Sequence, residues 1–460
     1  MGRSREEGLG QGLVTHAGLT RELATFVARL AHDGAPADAR AAAIVGFVDT
    51  TATLVAGRHE PAVQTLLRAL DPLPTGNARL FYGAQATDAA TAALVNGVAA
   101  HALDYDDVAL RGHPSAVLVP TIVSLACELR CSGARMLDAY VAGYETWGEL
   151  VDREKGIHHL KGWHPTGIFG PIGAAAAAAL LLDLDETQCL HALGLGASQS
   201  AGLIANFGAM SKPFHAGRAA QAGVMAARLA RAGFTASPDA LEHPQGFLVA
   251  VSPAGDVDRT RPAAVLSRLQ IAHRRMNVKR YPLCYYTHRA LDGMLALRSM
   301  HGIQAGDVER VEVRMSQEHA TVLRNHRPAT GLAAKFSIEF AMACALVAGR
   351  AGLTELTDEF VAQPVVQRLI ERVHVTPIPA DDPDLPAAAW ADQVIVTLRD
   401  SRVLEGEPVH QALGHADRPL SQSDLKGKFM DALAYGRYEG DGEALFEQLV
   451  VLDRLPTFTL

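Results

Sequence analysis

Long segments of small and apolar residues run through the first part of the chain and limit the folds that it can adopt. Asp88–Leu103 has the sequence DAATAALVNGVAAHAL, and Ile172–Leu182 is an unbroken apolar run with six consecutive alanines. Helices with small side chains pack closely, whereas strands would show apolar residues at every second position. No convincing alternation occurs before about residue 265. The sequence therefore predicts packed helices, including segments 20–31, 37–56, 62–70, 116–129, 133–151 and 219–232.

The pattern changes in the last third of the chain. Val308–Met315 and Gln393–Leu398 alternate with a period of two, as do residues 373–375, and this predicts strands. Segments 332–349 and 421–449 return to a helical pattern. A chain of 460 residues is expected to form two domains. We predict a mainly α protein, with a large all-helical domain formed by residues 1–268 and 406–460 and a smaller α+β lid domain at 269–405.

Composition excludes several classes of partner. The net charge is −8, and no run of lysine and arginine is dense enough for binding nucleic acid. The five cysteines are odd in number and scattered, which is typical of reduced thiols in the cytoplasm. Residues 1–18 are a polar lead-in without the apolar centre of a signal peptide. The run at 172–182 is shorter than the roughly 20 residues of a membrane span. We expect a cytoplasmic protein with no membrane partner.

Motifs for nucleotides, metals or a nucleophilic serine are missing from the sequence. It contains no GxxxxGK[ST], no GxGxxG between a strand and a helix, no GxSxG and no HExxH. Cys127 and Cys131 share a helix face, but no second cysteine pair follows at ligand spacing. His158, His159 and His164 could bind zinc in principle, yet a clear further ligand is absent. We therefore expect no metal.

Four polar segments interrupt the apolar helices and carry the ionisable side chains that could do chemistry. The first is HALDYDDVALRGHPSAVLVP at 101–120. The others contain Trp163-His164-Pro165, the SKPFH sequence at 211–215 and the NVKRYP sequence at 277–282. Such a density of polar groups between buried helices is costly unless they pair with each other or with a ligand. Two histidines, two lysines and an aspartate together would form an anion-binding acid–base site.

Each segment alone also has a structural interpretation. Asp106 and Asp107 could be N-cap residues of the helix that follows. His164 could be a hydrogen-bonded core histidine, and Lys212 and Lys279 could lie in solvent. These alternatives stay open on spacing alone.

The four segments, in this order, resemble the MmgE/PrpD family. The matching stretches are HALDYDDVALRGHPSAVLVP, GWHPTGIFGPIGAAAAAA, MSKPFHAGRAAQAGVMAARLARAGF, VKRYPLCYYTH and GLAAKFSIEFAMACAL, from about residue 90 to 350. Known members include 2-methylcitrate dehydratase, cis-aconitate decarboxylase and iminodisuccinate epimerase. The resemblance implies a large helical domain completed by the C-terminus, an α+β lid domain, a homodimer, and an active-site cleft between the domains.

The resemblance also implies site residues. In a decarboxylase-type active site, the catalytic positions would be Asp104, His113, His164 and Lys212, with Lys279 binding the substrate. Two positions differ from the decarboxylase pattern. Val108 stands where it has a threonine, and Phe340 where it has a tyrosine. Each difference removes a hydroxyl group, which speaks against cis-aconitate decarboxylation specifically.

The reactions of the family share a carbanion-like centre next to a carboxylate. We expect a cofactor-independent lyase for a small di- or tricarboxylate, with dehydration like that of 2-methylcitrate first and epimerisation or decarboxylation as alternatives. Lys212 and Lys279 would bind carboxylate and stabilise charge, and His113 and His164 would move protons. Asp104 would orient a histidine or a lysine. Substrate contacts of a second tier are assigned to Tyr105, Tyr281 and His215. A non-catalytic homologue that keeps the fold is the alternative from another class.

Overall fold

The computed structural model describes residues 18–383 and 387–458, so the predicted lead-in lies outside the described residues except for Gly18. Helices dominate the first part of the chain, as expected. They are α1 Leu19–Asp33, α2 Ala37–Gly57, α3 Pro61–Ala69, α4 Ala89–Ala102, α5 Ser115–Leu129, α6 Gly133–Val151, α7 His158–Lys161, α8 Pro165–Leu181, α9 Glu186–Ala197, α10 Ser211–Arg231, α11 Phe247–Val251 and α12 Ile271–Arg274. Two short strands, β1 Ala78–Arg79 and β2 Ala86–Thr87, form an antiparallel pair. The expectation of an all-helical first part was wrong here, because two-residue strands leave no periodic pattern.

Small residues allow the central helices to pack at very short distances. Every residue of α4 is buried, as is every residue of α8. Helix α10 crosses α4 at Gly217, where an added Cβ atom would lie 2.2 Å from the carbonyl oxygen of Leu94. The same helix meets α8 at Gly223, where a Cβ atom would lie 2.2 Å from the Cβ atom of Ala174. The alanine- and glycine-rich pattern therefore sets the distances between these three helices.

Replacement of Gly217 by alanine is expected to lower the free energy of unfolding by about 1–3 kcal/mol, because the new methyl group overlaps a backbone carbonyl that cannot move freely. Gly427→Ala is the matched control. Gly427 also lies inside a helix but has no neighbour within 4 Å, so alanine there should be neutral or stabilise by up to about 1 kcal/mol. Urea denaturation measures both. Equal stabilities of the two variants would contradict the close helix packing.

A second hydrophobic core forms around a four-stranded mixed sheet. The strands are β3 Val308–Ser316, β4 Val373–Ile378, β5 Gln393–Leu398 and β6 Val403–Glu405, in the spatial order β4-β3-β5-β6. Strand β3 is parallel to β4 and antiparallel to β5, which pairs antiparallel with β6. The helices of this region are α13 His288–His301, α14 Gln317–Val322, α15 Gly331–Ala334, α16 Ile338–Ala348, α17 Asp358–Val361 and α18 Pro364–Ile370. The mainly α fold with a smaller α+β part is thus confirmed.

The end of the chain returns to the first core. Helices α19 Gln422–Tyr435 and α20 Gly442–Val450 bury Phe429, Phe446 and Leu449 among the residues of the first core. The second core comprises residues between Tyr281 and Leu398. The domain boundaries at 268/269 and 405/406 stay predictions.

Helix α2 has the length and apolar composition of a membrane span, which the unbroken apolar run at 172–182 lacks. Within the protein, 72% of its most apolar window is buried. Because core helices of soluble proteins meet the same criteria, this feature is weak support for a membrane span.

Candidate active site

The loop between α4 and α5 brings ionisable groups into the interior. Asp88 caps the start of α4 by accepting hydrogen bonds from the backbone of Ala90 and Thr91. At the other end, Asp104 adopts a left-handed backbone conformation with φ of 53°, which aspartate tolerates better than most residues. The loop then continues to His113, just before α5. Asp104 is 4% exposed, and the next carboxylates, Asp106 and Asp107, are fully buried.

Asp104 receives two lysine side chains from distant parts of the chain. The Nζ atom of Lys212, on α10, donates to Asp104 Oδ1 at 2.8 Å. Lys279 Nζ donates to the same oxygen at 2.9 Å and to the backbone oxygen of Asp104 at 2.7 Å. Both lysines are buried. Each ammonium group carries three N–H donors, and the contact with Asp104 leaves Lys212 donors that can bind an anionic ligand.

The surroundings keep this carboxylate ionised. Burial alone would raise the pKa of Asp104, but the ammonium groups of Lys212 and Lys279, with smaller contributions from neighbouring histidines, hold the pKa below its ordinary value. The Lys212 ammonium also lies over two aromatic rings, 5.2 Å from the centroid of Phe207 and 5.3 Å from that of Phe336. Cation–π contacts of this kind fix the position of an ammonium group without neutralising it.

A second carboxylate, Asp106, lies between two histidines. The Nδ1 atom of His101 is 3.0 Å from both oxygens of Asp106, and the Nδ1 atom of His113 is 2.9 Å from Oδ2. On its other side, His113 Nε2 lies 3.8 Å from Asp104 Oδ1. Burial would raise the pKa of Asp106, but the two histidines outweigh it and hold the pKa well below the ordinary value. His113 is therefore placed between two ionised carboxylates.

Another histidine pair lies beside this cluster. His164 and His215 face each other through their Nδ1 atoms at 3.1 Å, so one ring donates and the other accepts. The ring of His164 stacks on that of His101 with centroids 5.9 Å apart and contacts Phe207 edge-on at 4.9 Å. Burial, and then the charges of His101 and Lys212, hold the pKa of His164 well below its ordinary value. A neutral imidazole pair can both accept and donate a proton.

Both halves of the chain match family models. The MmgE/PrpD N-terminal domain matches residues 21–260, and the MmgE/PrpD C-terminal domain matches residues 281–450. The chain belongs to the MmgE/PrpD family.

Its curated relatives include cis-aconitate decarboxylases. The mouse and human proteins are each 28% identical, covering 74% of this chain and 70% and 71% of their own lengths. A cis-aconitate decarboxylase from Aspergillus terreus is 23% identical over 95% of this chain and 94% of its own length. MmgE/PrpD membership and these relatives support an enzyme of the lyase type.

Most of the predicted MmgE/PrpD site residues meet in the structure. Asp104, His113, Lys212 and Lys279 are linked by the contacts described above, and His164 with His215 adjoins them through the ring of His101. Two predicted substrate ligands, Tyr105 and Tyr281, have hydroxyl groups that donate hydrogen bonds within the protein. The catalytic and binding roles stay predictions.

The hydroxyl groups of the two predicted tyrosines are already occupied. Tyr105 donates to the backbone oxygen of Arg280 at 3.1 Å, and its ring lies 4.0 Å under the ammonium group of Lys428. Tyr281 donates to Asp292 Oδ1 at 2.6 Å. Both hydroxyl hydrogens are therefore engaged within the protein, and the substrate-binding roles of the two tyrosines stay predictions.

Sequence reasoning missed His101 and misread Asp106. Helix α5 begins at Ser115, so Asp106 and Asp107 are not its N-cap residues as one interpretation had it. His101 lies in the apolar stretch of α4, where the pattern indicates a core position. Its distance of five residues from Asp106 was the available signal, but only the fold of the loop turns the two side chains together.

Three lysines from the C-terminal half donate to backbone oxygens at the end of α4 and in the loop directly after it. Lys335 donates to the oxygen of Ala102 at 3.1 Å, Lys279 to that of Asp104, and Lys428 to that of Tyr105 at 2.8 Å. The carbonyl groups at a helix C-terminus carry partial negative charge and lack partners within the helix. Lysines from both the second core and α19 therefore fix the loop that carries Asp104.

Val108 and Phe340, the two positions that differ from the decarboxylase pattern, lie in different environments from each other. Val108 pairs through its backbone with Asn277 and borders a cavity of about 230 Å³ that is also lined by Tyr144 and Arg274. Phe340 is fully buried in the second core, with its ring edge-on to Phe360 at 6.3 Å. Phe340 is thus a packing residue, which weakens the argument that its missing hydroxyl changes the chemistry.

One group among the described residues has the spacing of a metal site. His101, Asp104, Asp106 and His113 offer ligand atoms that lie within 4.8 Å of one another. The histidines considered for zinc, His158 and His159, are not part of it. A divalent cation on Asp104 would lie close to two ammonium groups, which repel it strongly in a buried site. These lysines already supply the positive charge that a metal would bring.

Proposed function

We propose that this protein is a cofactor-independent lyase that acts on a small di- or tricarboxylate through a carbanion next to a carboxylate. The observation that carries the proposal is the pair of buried ammonium groups on Asp104, bordered by two sets of histidines. Such a site binds a carboxylate through the remaining N–H donors of its ammonium groups. It also stabilises the negative charge that develops when a neighbouring carbon loses a proton or carbon dioxide.

Dehydration is the reaction that uses all of these groups. His113, oriented by its carboxylate neighbours, removes a proton from the carbon next to the bound carboxylate. The electrons pass into that carboxylate as an enediolate, which Lys212 and Lys279 stabilise. The electrons then form the carbon–carbon double bond while the hydroxyl group on the adjacent carbon leaves. A proton from the His164–His215 pair converts the leaving group into water.

Decarboxylation is the second candidate, because the curated relatives described above are cis-aconitate decarboxylases. In that reaction carbon dioxide leaves, and a single proton is delivered to the resulting carbanion. Dehydration needs one group that accepts a proton and another that donates one, which fits two separate histidine sets better. Proton return on the opposite face would give epimerisation.

The test is incubation of the purified protein with 2-methylcitrate, cis-aconitate and iminodisuccinate in D2O, followed by NMR. We expect loss of water from the hydroxy acid and entry of deuterium at the carbon next to a carboxylate. Itaconate or another decarboxylated product would favour the second candidate. Deuterium exchange with inverted configuration would favour epimerisation. Neither exchange nor turnover with any small polycarboxylate would contradict the enzyme proposal and favour a non-catalytic homologue.

The same assay, repeated with a chelator, tests whether the reaction needs a metal ion. A chelator should leave the rate unchanged because the lysines supply the charge that stabilises the carbanion. Inhibition that is reversed by added metal would overturn the cofactor-independent mechanism and assign a role to the group around His101 and Asp106. A homodimer, implied by the resemblance, and a cytoplasmic location, expected from the scattered cysteines, stay proposals.

A further inference from the structure

Hydrogen-bond geometry determines which nitrogen of His101 and which nitrogen of His113 carries hydrogen. His113 Nδ1 lies 2.9 Å from Asp106 Oδ2 and 3.0 Å from the backbone oxygen of Asp107. Both partners accept hydrogen bonds, so this nitrogen must donate. His101 Nδ1 is 3.0 Å from each oxygen of Asp106, which is ionised, so it donates as well. Both rings therefore carry hydrogen on Nδ1.

We propose that Asp106 is a positioning residue that, together with the backbone oxygen of Asp107, holds His101 and His113 in the Nδ1–H form and so leaves His113 Nε2 free to take the proton from the substrate. This inference rests on the proposed function for its chemical consequence, although not for the tautomer. His113 Nε2 faces the Asp104 oxygen that binds the two lysines. The side chain of His113 is 12% exposed, whereas those of Asp106 and His101 are fully enclosed. His113 is thus the member of the three that a substrate can reach.

His101 holds the Asp106 carboxylate in place and does not itself face the substrate. Its Nε2 atom is buried without a hydrogen-bond partner among the described residues. Burial lowers the pKa of His101 to about 4, against the opposing effect of Asp106, so the ring is neutral near pH 7. A neutral ring donates one hydrogen bond to Asp106 without neutralising its charge. His101 therefore fixes the carboxylate, while the negative charge stays available to stabilise His113 when that ring becomes protonated.

The first test is spectroscopic and needs no substrate. In protein labelled with nitrogen-15 at histidine, the ring nitrogens of His101 and His113 should show the Nδ1–H form, with assignments from His101→Asn and His113→Gln. Asp106→Asn presents an amide that can donate to His101 Nδ1, so His101 should change to the Nε2–H form, whereas His113 keeps the backbone oxygen of Asp107 as acceptor and should stay in the Nδ1–H form. An Nε2–H signal for His113 in the wild type would overturn the proposal, and so would a His101 tautomer that is unchanged in Asp106→Asn.

The second test measures activity with the substrate found above. Asp106→Asn should lower kcat by about 10²- to 10⁴-fold with little change in KM, since binding by the lysines is retained. His101→Asn keeps a donor toward Asp106 and should retain most activity, whereas His101→Leu should lose about 10-fold or more. Equal activity of His101→Leu and His101→Asn would overturn the part assigned to His101. If no substrate is found, the proposed function fails, but the tautomer measurement still decides the role of Asp106.

Discussion

Lys212→Ala is expected to lower kcat/KM by about 10²- to 10³-fold while the protein stays folded, which corresponds to about 3–4 kcal/mol of lost transition-state stabilisation. Lys212 is the better exposed of the two lysines on Asp104, with 6% of its surface accessible against 1% for Lys279. Its ammonium group is therefore the easier of the two for a substrate carboxylate to reach. Its loss leaves Asp104 paired with Lys279 at 2.9 Å, so the buried carboxylate keeps a partner and the fold is preserved.

Two controls separate this charge effect from a general disturbance. Lys161→Ala removes a lysine that is exposed at the end of α7 and should leave activity unchanged. Ethylamine added to Lys212→Ala should restore part of the activity, because its ammonium group fits the space between Phe207 and Phe336 that the side chain vacates. Activity of Lys212→Ala within a factor of two or three of the wild type would show that this ammonium group does not act in catalysis.

The elements could be predicted from the sequence wherever their pattern was long enough. The alternation at 308–315 became β3, and the amphipathic segment at 133–151 became α6 with the same bounds. Shorter interruptions were missed. Segment 332–349 was expected to be one helix, yet it breaks into α15 and α16. The side chain of Ser337 accepts a hydrogen bond from the backbone N–H of Phe340 and so caps the start of α16. Cap residues act through local hydrogen bonds that leave no trace in apolar periodicity.

The order of the site segments could be predicted, but their pairings could not. Lys212 and Lys279 are 108 and 175 residues from Asp104 in sequence, so tertiary packing alone decides that both bind one oxygen. The resemblance to MmgE/PrpD proteins indicated that these residues share a site, without giving any contact. Lys428 received no role from the sequence, because a lysine in a C-terminal helix usually lies in solvent. Its burial depends on how α19 packs against α2.

Lys428→Met is expected to lower the free energy of unfolding by about 3–5 kcal/mol. The ammonium group lies 2.5 Å from Asp49 Oδ1, and the side chains of both residues are almost fully buried. Methionine fills similar space but leaves Asp49 without a compensating charge. Lys426→Met, two residues earlier on the same helix, is the matched control. Lys426 pairs with Glu443 and Glu447 at a partly exposed position, so its loss should change the stability far less than the loss of Lys428.

The cost of losing Lys428 should depend on pH in a defined direction. Burial raises the pKa of Asp49 even beside Lys428, and without the ammonium group the pKa rises further. A carboxyl with a raised pKa stabilises the folded chain below its unfolded pKa of about 3.9 and loses this contribution as the pH rises through the folded pKa. In urea denaturation, the deficit of Lys428→Met should therefore be smallest near about pH 4 and grow by up to about 1.4 kcal/mol per pH unit. Adding Asp49→Asn should remove this pH dependence and recover part of the stability. A deficit that is equal at all pH values would mean that Lys428 stabilises the fold through packing and not through its charge.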